Sequence, residues 1–129
     1  MKRRGFTVIE LLVAIVLLTI IGTVFWYQKN NIEVAGRDDK RKIAINAMYY
    51  GLEEVYYKQH GYYPQKIEKN TLASVDNSLL KDPRGTTIGS ADSDYRYEAK
   101  NCTDTKCKSY TLRTILENEA DYVKNSRHQ

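Results

Sequence analysis

The sequence predicts an α+β protein in which a long N-terminal α-helix packs on a small antiparallel sheet of three strands. Two observations support the helix: residues 6–27 are almost wholly apolar, and no proline occurs before Pro64. A third supports the sheet, because residues 95–125 contain three short runs rich in tyrosine, threonine and aliphatic residues between turn-forming residues. We therefore expect the chain to divide into residues 1–5, 6–27, 28–60 and 61–129.

Residues 6–27 predict a helix that spans a membrane, with Glu10 as its only charged side chain. At about 1.5 Å per residue the segment is roughly 33 Å long, enough to cross a hydrocarbon core of about 30 Å. The formal net charge is +4, and Lys2, Arg3 and Arg4 supply three of these positive charges. Basic residues before a span place its N-terminal side in the cytoplasm and the bulk of the chain outside. A carboxylate within such a span is a candidate functional residue.

Residues 28–60 predict an amphipathic continuation of the same helix that ends at Gly61, since glycine suits a left-handed helix cap. Apolar side chains recur in this half at the i, i+3, i+4, i+7 spacing of one helix face. They are Ile45, Met48, Tyr49, Leu52, Val55 and Tyr56.

A charged run lies earlier in this half of the helix, where Asp38 and Asp39 precede Lys40, Arg41 and Lys42. Opposite charges three and four residues apart meet on a helix surface. Exposed pairs of this kind stabilise little. The run therefore predicts a solvated face whose charges pair with one another.

Residues 61–129 predict a small head that begins with a loop-rich segment. The segment contains one short helix, expected at about Thr71–Leu80 from its apolar spacing. Three antiparallel strands follow. They are predicted at residues 95–101, 108–116 and 121–125.

Cys102 and Cys107 are the only cysteines, and they flank the predicted loop between the first two strands. Directly opposed residues have Cα atoms about 4.5–5.5 Å apart, within the range that a disulfide requires. If the head lies outside the membrane, oxidation is permitted, and we expect a disulfide rather than a metal site. His60 and His128 are distant from the cysteines in sequence, so no zinc site is predicted.

The motifs favour neither an enzyme nor a protein that binds a polyanion. The sequence contains no Gly-x-Ser-x-Gly, phosphate loop or His-Glu-x-x-His motif, and no cofactor is expected. The basic excess lies in the first residues, so nucleic acid is not an expected partner. Three tyrosine pairs, at 49/50, 56/57 and 62/63, favour packing of the helix on the sheet, while a stacking platform for bases is the alternative.

The N-terminal residues carry a resemblance to a known family. A basic leader ends in Gly5, and Phe6 and Thr7 open an apolar helix in which Glu10 follows Phe6 by four residues. This arrangement resembles the type IV pilin and type II secretion pseudopilin superfamily. The resemblance implies cleavage between Gly5 and Phe6 by a prepilin peptidase, methylation of the Phe6 amine, and subunit assembly through Glu10.

A physical argument makes the implied role of Glu10 intelligible. A buried carboxylate needs an opposite charge or it becomes neutral. The new amine of Phe6, on a neighbouring subunit displaced along the filament axis, is a suitable cation. The resemblance further implies a homopolymer, or a polymer with related pilins, that an assembly platform and an ATPase build from subunits held in the cytoplasmic membrane. The head then lies outside the membrane, and the assembled filament lies at the cell surface.

The head matches the family less specifically and departs from it in three ways. The helix lacks the usual proline past the membrane segment, no acidic calcium loop is evident near Asp92 and Asp94, and the head lacks a long disulfide-bounded C-terminal loop. The matching positions are Tyr56, Gly61, Tyr63 and Pro64, which fit a pattern of major pseudopilin heads, and, more weakly, residues 82–85 and 95–97.

Three functional hypotheses follow from the sequence. The first is a structural subunit of a type IV pilus-like filament, or a pseudopilin of type II secretion or competence. The second is a membrane-anchored binding module that does not polymerise. The third is a surface fibre whose head binds DNA or another surface.

Overall fold

Helical structure begins at Val8 in the computed structural model, which describes residues 5–129. Helix α1 covers Val8–Tyr50, a π-helical segment covers Gly51–Tyr56, and a last turn, α2, covers Tyr57–His60. Gly61 then caps the helix in the left-handed region (φ 75°), as the sequence predicts, and its N–H donates to the Tyr57 carbonyl at 2.7 Å. The chain divides into two units, of which the first ends at Val34 and the second is Ala35–Gln129.

The π-helical segment is a departure from the regular α-helix that the periodicity predicts. A π-turn holds one more residue than an α-turn and so changes the helical phase. Three consecutive residues, Gly51, Leu52 and Glu53, are buried here. The wider turn thus directs a polar side chain, Glu53, towards the core beside an apolar one.

Close packing at the start of this segment leads to a prediction for Gly51. A Cβ at this position would lie 2.8 Å from Cγ2 of Val75 and 3.2 Å from Oγ of Ser74. We expect Gly51→Ala to lower the free energy of unfolding by about 1–3 kcal/mol, because valine is stiff and cannot easily move aside. Urea unfolding of the detergent-solubilised chain, followed by the near-ultraviolet signal of its tyrosines, measures this change.

Gly36 provides the matched control, since a Cβ at this position of α1 would meet nothing within 4 Å. Gly36→Ala is expected to stabilise the helix by up to about 1 kcal/mol, through helix propensity alone. Equal stabilisation by both substitutions would contradict the close approach at Gly51.

The sheet has four antiparallel strands rather than the three predicted from the sequence. Strands β2 (Tyr95–Thr103), β3 (Lys106–Thr114) and β4 (Tyr122–Asn125) correspond to the predicted ones, and β1 is Tyr63–Pro64. Both β1 and β4 pair with β3, at its start and its end respectively, while β2 pairs with β3 along nearly its whole length. Two residues that include a proline form too short a run to be predicted as a strand.

The hairpin between β2 and β3 positions the two cysteines. A two-residue loop, Asp104 and Thr105, joins the strands, with Asp104 in the left-handed region (φ 56°). Cys102 and Cys107 oppose each other in the ladder and form a disulfide. Their Cα atoms are 3.9 Å apart, closer than the sequence-based expectation, beside Asn101, whose left-handed backbone (φ 53°) departs from regular strand geometry.

The predicted helix at Thr71–Leu80 is wrong. Only Asn77–Leu80 is helical, as a short 3₁₀ turn, and the residues before it form turns. Asp76 has an extended backbone and accepts a hydrogen bond from the N–H of Ser78 at 2.8 Å, so it caps the turn at this point. The apolar residues of the segment are buried by separate turns and not along one helix face.

The core lies between the second half of the helix and the sheet. Tyr63, Tyr95 and Tyr110 are each 1 % exposed or less. Of the tyrosine pairs predicted to pack the helix on the sheet, this confirms the prediction for Tyr63, whereas Tyr50 is 62 % exposed. The buried apolar residues of the helix are Ala44, Ile45, Met48 and Leu52, and those of the loops and strands include Ile67, Leu72, Val75, Leu80, Ile88 and Leu112.

Candidate functional site

The predicted assembly residues lie at the start of α1. Phe6 is 80 % exposed, and Glu10 lies exposed in the first turn of the helix. Thr7 precedes the helix and acts as its cap, because the N–H of Glu10 donates to the Thr7 carbonyl at 3.1 Å and to Oγ1 of Thr7 at 3.4 Å. Glu10 is thus the last residue of a Thr-x-x-Glu sequence, the pattern of a helix capping box.

The helix that follows is apolar on every side. Its described residues make it long and apolar enough to cross a membrane, by length and composition, and none of its apolar stretch is buried in the chain. Leu11, Leu17 and Phe25 are 57 %, 54 % and 73 % exposed. A single helix that is apolar all round needs lipid or other protein around it.

The polar side chains within this stretch differ in how they are satisfied. The hydroxyls of Thr19 and Thr23 donate to the carbonyls of Val16 and Ile20, at 2.7 and 2.9 Å. Hydrogen bonds within the helix allow such hydroxyls to lie in an apolar environment. Glu10 is the one remaining polar side chain of the described residues 8–25, and it carries a carboxylate.

A buried ion cluster lies in the second unit, centred on Arg41. The guanidinium of Arg41 is fully buried and contacts three carboxylates. Its Nη2 lies 2.9 Å from Oδ2 of Asp94, and its Nη1 lies 2.9 Å from both Oδ1 of Asp38 and Oε1 of Glu117. The predicted pairing of Asp38 with Arg41 is therefore confirmed, but the prediction that this face is solvated is wrong for both residues, because the head folds over this part of the helix and replaces water around their side chains.

The cluster joins the helix to two segments of the head. Asp38 accepts hydrogen bonds from the backbone N–H groups of Glu117 and Asn118, at 3.0 and 3.2 Å, and so holds the chain between β3 and β4 against the helix. Asp94, directly before β2, is held by Arg41. Salt bridges buried in this way fix geometry more than they add net stability.

Glu117 lies at the edge of the cluster and pairs with two arginines. Arg37 donates to it from Nε at 2.8 Å and from Nη2 at 2.6 Å, and Arg41 adds a third hydrogen bond. The pKa of Glu117 is lowered to about 2. The hydrogen bonds from Arg37 are the largest cause, and the hydrogen bond from Arg41 and the charges of both arginines add to it. Its stabilising effect is therefore complete above the ordinary carboxyl pKa and is lost as the pH falls towards 2.

A second buried carboxyl group, that of Glu53, lies in the π-helical segment. Glu53 is 3 % exposed and accepts hydrogen bonds from the hydroxyls of Tyr63 and Tyr110, both at 2.9 Å. It also accepts one from the backbone N–H of Arg127 at 3.1 Å, and it thereby fixes the C-terminal residues to the end of the helix. Burial, followed by the interactions with Glu53, raises the pKa of both tyrosines, which keeps them protonated as donors.

The predicted site residues fall into separate groups. Gly5, Phe6 and Glu10 lie in the first unit, whereas the disulfide of Cys102 and Cys107 lies in the second. His60 is the last residue of the helix, and its Nδ1 lies 3.0 Å from the carbonyl oxygen of Tyr56. Among residues 5–129 no group of three or more histidine, cysteine, aspartate or glutamate side chains is arranged to hold a metal ion.

Residues 1–26 match the family model of the prokaryotic N-terminal methylation motif. The match contains Gly5, Phe6 and Glu10, and this motif is the prepilin leader signature of type IV pilins and pseudopilins. No curated protein and no solved structure matches the chain. The motif indicates a type IV pilin-like or pseudopilin precursor, a class of structural proteins that polymerise after processing by a prepilin peptidase.

Proposed function

We propose that this chain is a structural subunit of a type IV pilus-like filament. One observation carries the proposal: the matched motif heads a helix whose large apolar side chains are all exposed in the isolated chain. Residues 6–27 contain fifteen phenylalanine, valine, isoleucine, leucine and tryptophan side chains. At about 1.5–3 kcal/mol each, their exposure to water would cost on the order of 30 kcal/mol.

This cost supports polymerisation as the way in which the helix leaves a bilayer. Other copies of the same helix cover its apolar surface when the helices pack together in a bundle. A head-to-tail contact between different patches of two subunits does not close on itself, and it therefore generates a helical filament. The filament core is then built from residues 6–27, with residues 61–129 as the heads.

Processing at Gly5 and Phe6 supplies the second part of the proposal. Hydrolysis of the bond between these residues leaves a free amine on Phe6, and methylation of that amine retains its positive charge. In the assembled filament this amine pairs with Glu10 of a neighbouring copy. One buried polar pair of this kind fixes the axial register of the helices.

The proposed partners and location follow from the same assembly. Prepilin peptidase acts on the leader while the chain lies in the cytoplasmic membrane with its head outside. An assembly platform and an ATPase then move the subunit into the filament. The basic residues Lys2, Arg3 and Arg4 support this orientation of the unprocessed chain.

The test is the mass of the chain in its polymer. We expect protein from sheared native filaments to begin at Phe6 and to carry one additional methyl group, in intact-mass and N-terminal peptide measurements. Protein in the membrane fraction of cells without the peptidase serves as the control and is expected to begin at Met1. A filament chain that retains Met1, or that begins after Gly22, would contradict the proposed processing.

A pseudopilin of type II secretion or competence is the second candidate. The feature that favours it is the end of the helix, where Gly61 forms the cap and Tyr63 and Pro64 form β1. Both candidates share the leader and the assembly residues, so the mass measurement does not separate them. They differ in where the polymer is found: a pilus subunit is recovered in material sheared from the cell surface at its native level of expression, whereas a pseudopilin stays with the cell envelope.

A further inference from the structure

Strand β2 has a partner on one side only among the residues that the structure describes, 5–129. β3 lies along one edge of it, and β1 and β4 both pair with β3. β2 is nine residues long, so its other edge offers a row of backbone N–H and C=O groups to a further strand. Folded proteins usually shorten, cover or bend such an edge.

The two halves of this edge differ in their surroundings. The first residues of β2 line a groove of about 750 Å³ together with residues 65–69 and 87–91. Arg96 is held there, since its guanidinium donates to the carbonyls of Ser90 and Ala91 at 3.1 and 2.7 Å. Beyond it, Glu98 and Lys100 are exposed, and Ala99 between them is partly exposed. The accessible part of the edge is therefore centred near Ala99.

The charges of this segment permit only some pairings with a second copy of the same strand. When a two-fold axis relates two antiparallel strands, it can pass through a residue, which then faces its own copy, or between two residues. Only an axis at a residue brings the outward-pointing N–H and C=O groups of the two strands together. An axis at Glu98 would oppose two glutamates and place Arg96 against Lys100. An axis at Lys100 would oppose two lysines. Like charges directly opposed destabilise a ladder.

An axis at Ala99 produces the opposite result. Glu98 of each copy then faces Lys100 of the other, so that two ion pairs flank two small alanines. Both side chains remain accessible to a second copy although each has a partner on β3. Glu98 lies 3.4 Å from Arg113, and Lys100 donates to the hydroxyl of Thr111 at 2.9 Å. An axis at Tyr97 would bring Lys100 opposite Asp94, which is already buried against Arg41.

We propose that two copies of this chain pair through the free edge of β2, antiparallel, with Ala99 of one copy opposite Ala99 of the other. The contact is isologous and closes at two copies, so it is distinct from the open contact of the helices in the proposed filament. Between subunits of a filament it would join two filaments side by side. It goes beyond the proposed function and does not require it, because the pairing residues all belong to the head.

The experiment uses the whole chain, solubilised in mild detergent, with a cysteine at the proposed axis. Opposed residues in antiparallel strands lie within disulfide range, so Ala99→Cys is expected to form a covalent dimer on mild oxidation. Val123→Cys is the matched control, since Val123 is 45 % exposed on β4 and lies far from the axis. Peptide mapping checks that the Cys102–Cys107 disulfide is intact. A dimer yield from Ala99→Cys that does not exceed that of Val123→Cys would overturn the proposal.

Charge reversal tests the register within the Ala99→Cys chain. Lys100→Glu places two glutamate pairs across the axis, and we expect about tenfold less dimer. Adding Glu98→Lys restores opposite charges and is expected to restore the yield. Lys108→Glu, an exposed lysine on β3, is the control and should have no effect. Equal loss from Lys108→Glu and Lys100→Glu would show non-specific electrostatics and overturn the assigned register.

A measurement on the unsubstituted chain guards against misfolded variants. Carbodiimide joins a lysine to a carboxylate without a spacer, and it would link Glu98 of one copy to Lys100 of the other. It would also link these two residues within a single strand. Mixing isotopically labelled with unlabelled chains separates the two cases. We expect cross-linked peptides that contain one labelled and one unlabelled β2 strand, and their absence would count against the pairing. Failure of these tests leaves the mass test of filament processing unaffected.

Discussion

Arg41→Met is expected to destabilise the second unit, Ala35–Gln129, by about 3–5 kcal/mol, because it removes the cation from a buried ion cluster. The carboxylate of Asp94 is 9 % exposed and would lose its partner at 2.9 Å. Arg84 lies 3.8 Å from it and is itself 63 % exposed, so it replaces little of the lost interaction. The measurement is the urea midpoint of the detergent-solubilised chain, followed through the buried tyrosines.

Lys42→Met is the control for this prediction. Lys42 follows Arg41 and pairs with Glu119 at 2.7 Å, but these side chains are 27 % and 57 % exposed. Removing an exposed pair typically costs about 0–1 kcal/mol. A loss for Lys42→Met as large as that for Arg41→Met would mean that general helix charge, and not the buried cluster, stabilises the head.

A double substitution identifies which carboxylate is orphaned. Asp38 keeps the backbone donors of Glu117 and Asn118 when Arg41 is removed, whereas Asp94 loses its closest cation. Adding Asp94→Asn to Arg41→Met is therefore expected to recover part of the lost stability, since a neutral amide is less costly to bury than a carboxylate. Adding Asp38→Asn is expected to recover none, because it weakens the bonds to the loop.

The features that sequence analysis predicted are those that short-range patterns determine. The absence of proline before Pro64, the apolar run and the spacing of Ile45, Met48 and Leu52 suffice to place the helix and its core face. Two cysteines that flank a two-residue turn suffice to predict their pairing, because the ladder itself brings opposed residues together.

The buried polar groups were missed because their partners are distant in the chain. Arg41 meets Asp94 and Glu117, which lie 53 and 76 positions away, and nothing in residues 38–42 distinguishes them from a solvated charged face. Glu53 similarly depends on Tyr110, 57 positions away, and on a π-turn that helical periodicity does not reveal. When the tertiary fold buries one charged residue of a charged run, the neighbouring sequence does not show which residue it is.

The start of the helix shows a different limit of sequence analysis. The apolar run makes Glu10 conspicuous, but Glu10 also stands at the last position of a Thr-x-x-Glu sequence, in which its backbone N–H donates to Oγ1 of Thr7. A substitution with leucine would remove both the charge and the polar side chain that this sequence pattern requires. A test of the proposed assembly role therefore has to separate the two.

Glu10→Gln makes this separation. Glutamine has nearly the same size and can occupy the same position of a capping box, so only the negative charge is lost. If Glu10 pairs with the Phe6 amine of a neighbouring copy, that amine remains buried without a counter-charge, at a cost of about 3–5 kcal/mol. Because the cost recurs at every subunit, we expect filaments to be lost while membrane insertion and leader cleavage persist. The yield of sheared filaments is measured beside an immunoblot of the membrane fraction.

Thr7→Ala and Glu10→Leu complete the comparison. Thr7→Ala removes the cap, at about 1 kcal/mol, but retains the charge of Glu10, so filaments are expected to form. Glu10→Leu should match Glu10→Gln in filament yield if charge is what matters. If Glu10 merely extends towards the lipid headgroups, both changes at Glu10 leave any assembly intact, and leucine improves retention in the membrane. Normal filament yield from Glu10→Gln would therefore refute the pairing.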